Sequence, residues 1–196
     1  MSTDNELGLA PLYRVRDFDG SFTEYIDALH WQYRAMTEHA GLELWGRPLY
    51  GMGEQAADGR DATFWHVVTD GRGPAKPRQL NLLRCAILPR AWDVLQRLAE
   101  NDVRVIWWRE ARQKVMVAPV DLSLVIVLRA GASCFRLLTV YPADEGSRAA
   151  LWVRARKSWN SGRSRRDAFA HPTWRTVRET WQAPVRGWSA ELGEYA

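Results

Sequence analysis

A chain of 196 residues, 46% hydrophobic and 26% charged, has the makeup of a folded domain with one good core, and excludes a disordered or fibrous polypeptide. Its formal net charge of +4 points toward anionic partners, and its longest apolar run, after Asp121, is too short to span a membrane. Cys85 and Cys134 sit far apart beside apolar stretches, as buried thiols in a reducing compartment do, and the start MSTDNELGLAPLY lacks the basic-then-apolar order of a secretion signal. A soluble, cytoplasmic protein without a membrane partner is expected.

Residues 1–20 read as an irregular lead-in. Ser21-Phe-Thr-Glu24 has capping-box form, and Phe22, Tyr25, Ile26, Leu29, Tyr33 and Met36 follow at helical spacing. The pattern predicts an amphipathic helix over 22–40, stopped by Gly41. Residues 46–63 are rich in Gly and charge and read as a loop. The run Phe64-Trp-His-Val-Val-Thr69 then reads as a short strand, in which His66 shares a face with Phe64 and Val68. Residues 70–78 (DGRGPAKPR) read as a connector with three cations, Arg72, Lys76 and Arg78.

Leu80 to Leu83 read as a short extended segment, and Pro89 suits the first turn of a helix over about 89–100. Val103–Arg109, Lys114–Ala118, Leu122–Arg129 and Cys134–Tyr141 are four strand-like runs in succession. Glu110–Gln113 forms a tight turn, and Ala130–Ser133 is a hairpin loop containing Gly131. The expected fold is α+β: N-terminal helices packed on a four-stranded antiparallel sheet. Residues 145–158 read as helical. The division expected is a compact domain over 1–142 and a basic, partly helical extension over 143–196.

That extension carries the charge asymmetry. Nine basic residues fall between Arg148 and Arg178, Arg154 and Arg156 among them, against the single acid Asp167. Trp152, Trp159 and Trp174 are interleaved. Cations that meet phosphates and aromatics on which bases stack suit a nucleic-acid partner; a solvated Arg-rich helix gives the same pattern. No Gly-rich phosphate loop, zinc-spaced Cys/His cluster, nucleophile elbow or HExxH appears, so any enzymatic chemistry is expected to use His, Arg, Lys and hydroxyls, with no cofactor or metal.

Four stretches, FWHVV (64–68), LNLLRCAILPRAW (80–92), LSLVIVLR (122–129) and FRLLTVYP (135–142), together resemble the barnase–EndoU–colicin–RelE-like nuclease superfamily, in its phage and plasmid toxin branch. The resemblance covers about residues 22–142. Where the superfamily commonly has an acidic residue before the Arg of the second stretch, this chain has Asn81 and Leu83. The resemblance implies a metal-independent endoribonuclease, with an antitoxin or immunity protein as partner. It implies catalytic roles for His66, Lys114, Thr139 and Tyr141. Arg84, Arg129, Arg72, Arg78, Arg154 and Arg156 are the candidates for holding phosphate or RNA.

The chemistry is consistent with those residue types. RNA cleavage without a metal needs a base for the 2′-OH, an acid for the leaving oxygen and donors for the charged phosphorus centre. His66 titrates near neutrality, Arg offers a fork to phosphate, and Thr139 and Tyr141 share a strand face. Two alternatives share the fold: a non-catalytic nucleic-acid-binding module, and a phage or plasmid interaction domain that kept the sheet alone.

Overall fold

The computed structural model describes residues 8–39, 41–51, 53, 55–70, 79–102, 104–111 and 113–160. The expected cationic connector at 71–78, with Arg72 and Arg78, and the tail beyond Asn160 lie outside the described residues. The architecture is α+β. Among the described residues, helices α1 (Phe22–Arg34), α2 (Ala62–Val68), α3 (Leu82–Ala99) and α4 (Glu145–Asn160) accompany eight strands. Six form one mixed sheet, β1 (Glu43–Leu44), β2 (Arg47–Tyr50), β5 (Val105–Ala111), β6 (Lys114–Pro119), β7 (Leu124–Ala130) and β8 (Phe135–Pro142), in the order β1-β2-β8-β7-β6-β5. The other two, β3 (Thr69–Asp70) and β4 (Gln79–Leu80), make a separate small ribbon.

The four strands β5 to β8 are the expected antiparallel meander. The sheet is larger than four strands because β2, inside the stretch read as a loop, pairs parallel with β8, and β1 pairs with β2. Only Leu49 of β2 is buried, so the strand shows no alternating pattern in sequence. A parallel partner also has to arrive from a distant part of the chain, which no local signal reports.

Two further expectations are corrected. Residues 64–68 are helical, not extended, and form most of α2. The Asp61 side chain caps this helix by accepting from the Thr63 amide at 2.6 Å. Phe64, Val67 and Val68 then fall at helical spacing and are buried, so the same apolar residues satisfy a helix as well as a strand. The third helix starts at Leu82, not Pro89, because the Asn81 side chain accepts from the Arg84 amide at 3.0 Å. Pro89 sits inside α3 and removes one backbone donor there; the buried neighbours Ile87, Leu88 and Ala91 hold the helix through it.

The core lies between α3 and the sheet. Leu124, Ile126 and Leu128 of β7, Val115 and Val117 of β6, and Phe135 and Leu137 of β8 all lie on one face and are buried. Each such side chain contributes about 1.5–3 kcal/mol of burial free energy. Helix α3 packs on β5, β6, β7 and β8. Trp45 makes edge-to-face contacts with Trp107 and Phe135 on the same side. Helix α4 buries Leu151, Ala155 and Ser158, one stripe at helical spacing, and packs against β5. Both cysteines are free thiols, Cys85 buried and Cys134 half-buried. Among the described residues no helix is long and apolar enough to cross a membrane.

Candidate nucleic-acid interface

The sheet face opposite α3 is buried along Met116, Val125 and Val127 and carries charge at its end nearest the β7–β8 hairpin loop. Lys114 of β6 pairs with Arg129 of β7, and Arg129 pairs with Arg136 of β8. The register of β7 and β8 then shifts by one residue, so that Thr139 lies opposite Val127 and Tyr141 opposite Val125. Side chains alternate along a strand and directly paired residues share a face. Lys114, Arg129, Arg136, Thr139 and Tyr141 therefore project from one side. Without the bulge at Leu138, Thr139 and Tyr141 would face the core, because a one-residue slip turns every side chain over. The parallel pairing of Tyr50 with Arg136 adds Tyr50, 47% exposed, to the same surface.

Three cations directly opposite one another across three strands are unfavourable for a fold. Two of them are partly compensated. The Lys114 ammonium lies 2.9 Å from the Glu110 carboxylate, and Arg136 donates to the Gly51 carbonyl at 3.0 Å. The central cation, Arg129, is exposed and makes no ion pair with any described residue. Glu110 also accepts from Arg154 of α4 at 2.8 Å, so one carboxylate joins a sheet cation to a helix cation. Helix α4 is further tied to β5 by the Ser158 hydroxyl, which donates to the Arg109 carbonyl at 2.7 Å.

Tyr141 reaches into this group. Burial, and then the Glu110 carboxylate, raise its phenol above the usual range, with Arg154 opposing. At neutral pH Tyr141 is thus a neutral hydroxyl that can donate a hydrogen bond to an anion. Thr139 stands half-buried two residues before it. Among the residues singled out from sequence, the structure gathers Lys114, Arg129, Thr139, Tyr141 and Arg154 on or beside one surface.

The others are placed differently. His66 is exposed on α2, on the side of that helix away from buried Phe64 and Val67, not on a strand face shared with Phe64 and Val68. Helix α2 packs on β8, the strand that bears Thr139 and Tyr141. Arg84 is committed locally: it lies 3.2 Å from the Asp70 carboxylate and donates to the Thr69 carbonyl at 2.9 Å. It clasps the β3–β4 ribbon at the base of the connector. Arg156 is exposed on the outer side of α4.

Three residues of the surface went unnoticed in the sequence. Glu110 reads as a turn residue, although its spacing of four from Lys114 is an available ion-pair signal. Arg136 is an ordinary alternating strand residue. Tyr50 sits in a stretch without strand character. Among the described residues no group of three His, Cys, Asp or Glu is arranged to hold a metal ion. No protein-family model, no curated protein and no solved structure matches the chain.

Proposed function

We propose that this protein binds single-stranded nucleic acid along the exposed cationic end of its sheet. The observation that carries the proposal is the row Lys114–Arg129–Arg136, with its central guanidinium unpaired among the described residues. A fold gains nothing from three aligned cations, whereas a phosphodiester backbone crossing the strands meets one cation per strand. Tyr50 stands beside Arg136 at the end of the row and offers an exposed ring for stacking, which suits unpaired bases more than a closed duplex.

The test is fluorescence anisotropy with a short labelled oligoribonucleotide in EDTA. Wild type binds with an affinity that falls steeply with salt, and Arg129→Gln with Arg136→Gln weakens it more than tenfold. Unchanged affinity in that double variant, or equal competition by polyglutamate and unlabelled RNA, overturns the proposal.

A second reading is the metal-independent endoribonuclease. It is favoured by the shared face of Lys114, Thr139 and Tyr141, and by the packing of α2, which bears His66, on the strand that carries the two hydroxyls. The superfamily resemblance rests on the short sequence stretches, of which FWHVV is helical here. Cleavage of total RNA in EDTA, abolished by either His66→Ala or Lys114→Met, is the result expected of this reading. Binding without cleavage leaves the module reading alone.

A further inference from the structure

We propose that the anion-binding surface continues past the sheet onto α4, and that Glu110 is the positioning residue that joins the two parts. This rests on the proposed binding of nucleic acid by the sheet face. Lys114 ends the row on β6, and it reaches the same carboxylate as Arg154 of α4, at 2.9 and 2.8 Å. The Lys114 and Arg154 side chains remain 44% and 52% exposed while Glu110 is 21% exposed. The two positive groups thus keep free donor capacity toward solvent, and the negative group lies beneath them. Lys carries three N–H donors and Arg five, so one bond to Glu110 leaves several for phosphate oxygens.

The arrangement gives Glu110 two opposing effects on an anion. Its charge repels a phosphate. Its two ion pairs hold flexible side chains in place, so that less rotamer freedom is lost on binding. It also pins Arg154 of α4 beside the row. Exposed pairs of this kind contribute little to fold stability, which leaves orientation as their main consequence.

The two effects predict opposite signs for one substitution. Glu110→Gln removes a negative charge and keeps the side-chain shape. Charge counting alone makes the variant bind RNA more tightly. The positioning role makes it bind about three- to tenfold more weakly. The slope of log K against log salt then becomes shallower by about 0.7 for each phosphate that the protein no longer neutralises.

The experiment measures affinity and salt slope by anisotropy, in EDTA with a labelled oligoribonucleotide, for full-length wild type, Glu110→Gln, Glu110→Asp and Arg154→Gln, with Arg129→Gln as reference. Weaker binding and a shallower slope in both Glu110→Gln and Arg154→Gln, with partial recovery in Glu110→Asp, support the inference. Wild-type or tighter binding in Glu110→Gln at unchanged slope overturns it. If Glu110→Gln does not fold, Arg154→Gln decides alone, because Arg154 is exposed and its unchanged slope excludes α4 from the surface. If Arg129→Gln also binds as wild type does, it is the sheet-face proposal that fails, and the two failures are told apart.

Discussion

Replacing Arg129 by Gln should stabilise the fold and weaken nucleic-acid binding at the same time. Arg129 lies directly between Lys114 and Arg136 in the sheet. Opposed side chains start from Cβ atoms about 5 Å apart, and the charged ends splay to roughly 7 Å. In water, two like charges at that distance repel by about 0.6 kcal/mol before screening. Glu110 offsets part of the Lys114 charge, so the two neighbours together cost about 0.5–1 kcal/mol at low salt. For a chain of this size that is a rise in Tm of about 1–4 °C for Arg129→Gln. Screening shortens the range of the repulsion to a few ångströms near 1 M salt, so the gain disappears there. Binding moves the other way: affinity falls and the salt slope becomes shallower by about 0.7, one phosphate on a single strand. Scanning fluorimetry at low and high salt, paired with anisotropy, reads both effects. A lower Tm in Arg129→Gln at low salt refutes the argument, because it would make the guanidinium a stabilising part of the fold and not an uncompensated charge held for a ligand.

Three other outcomes are expected from the packing and the buried charges. Gly51→Ala should destabilise by about 1–3 kcal/mol, because an added Cβ would overlap the Tyr33 hydroxyl and come within 2.6 Å of the Asp61 carboxylate; urea denaturation measures it, and an unchanged midpoint contradicts the close packing there. Burial, and next the Arg60 and Arg34 charges, lower the pKa of His30. The unfolded chain therefore takes up the proton first, and stability should fall as pH drops from the ordinary histidine value of about 6.5 toward the folded one. His30→Gln should flatten that part of the pH–stability profile. Burial raises the pKa of Asp121, although its carboxylate accepts from the Ser123 amide at 2.9 Å. The folded state then holds this proton more tightly than the unfolded chain, so the group's contribution declines as pH rises past the usual carboxylate range. Asp121→Asn keeps the acceptor and removes the charge, and should be at least as stable as wild type at neutral pH; a lower urea midpoint there speaks against it.

The meander from Val105 to Pro142 is legible in the sequence because each strand is a compact run of β-branched and aromatic residues with polar turns between. The first helix is equally plain from its capping residue Ser21 and its apolar spacing. The charge pattern also brought out Arg154, within the basic block, while Lys114 and Arg129 entered as candidates with the superfamily resemblance. The order of residues alone thus settles local matters: which segments are regular, and which side chains are available for chemistry. Everything else depends on packing between distant segments. Residues 64–68 have an apolar spacing that suits helix and strand alike, and the Asp61 cap and burial against neighbouring elements select the helix. Strand β2 exists only because β8 offers an edge to it. The bulge at Leu138 turns Thr139 and Tyr141 to the face of Arg129, and a side chain's face depends on register, which is set by partners distant in the chain. Glu110 joins Lys114 and Arg154 only after α4 folds back onto β5. The cationic row is written in single residues, but its alignment is a property of strand pairing.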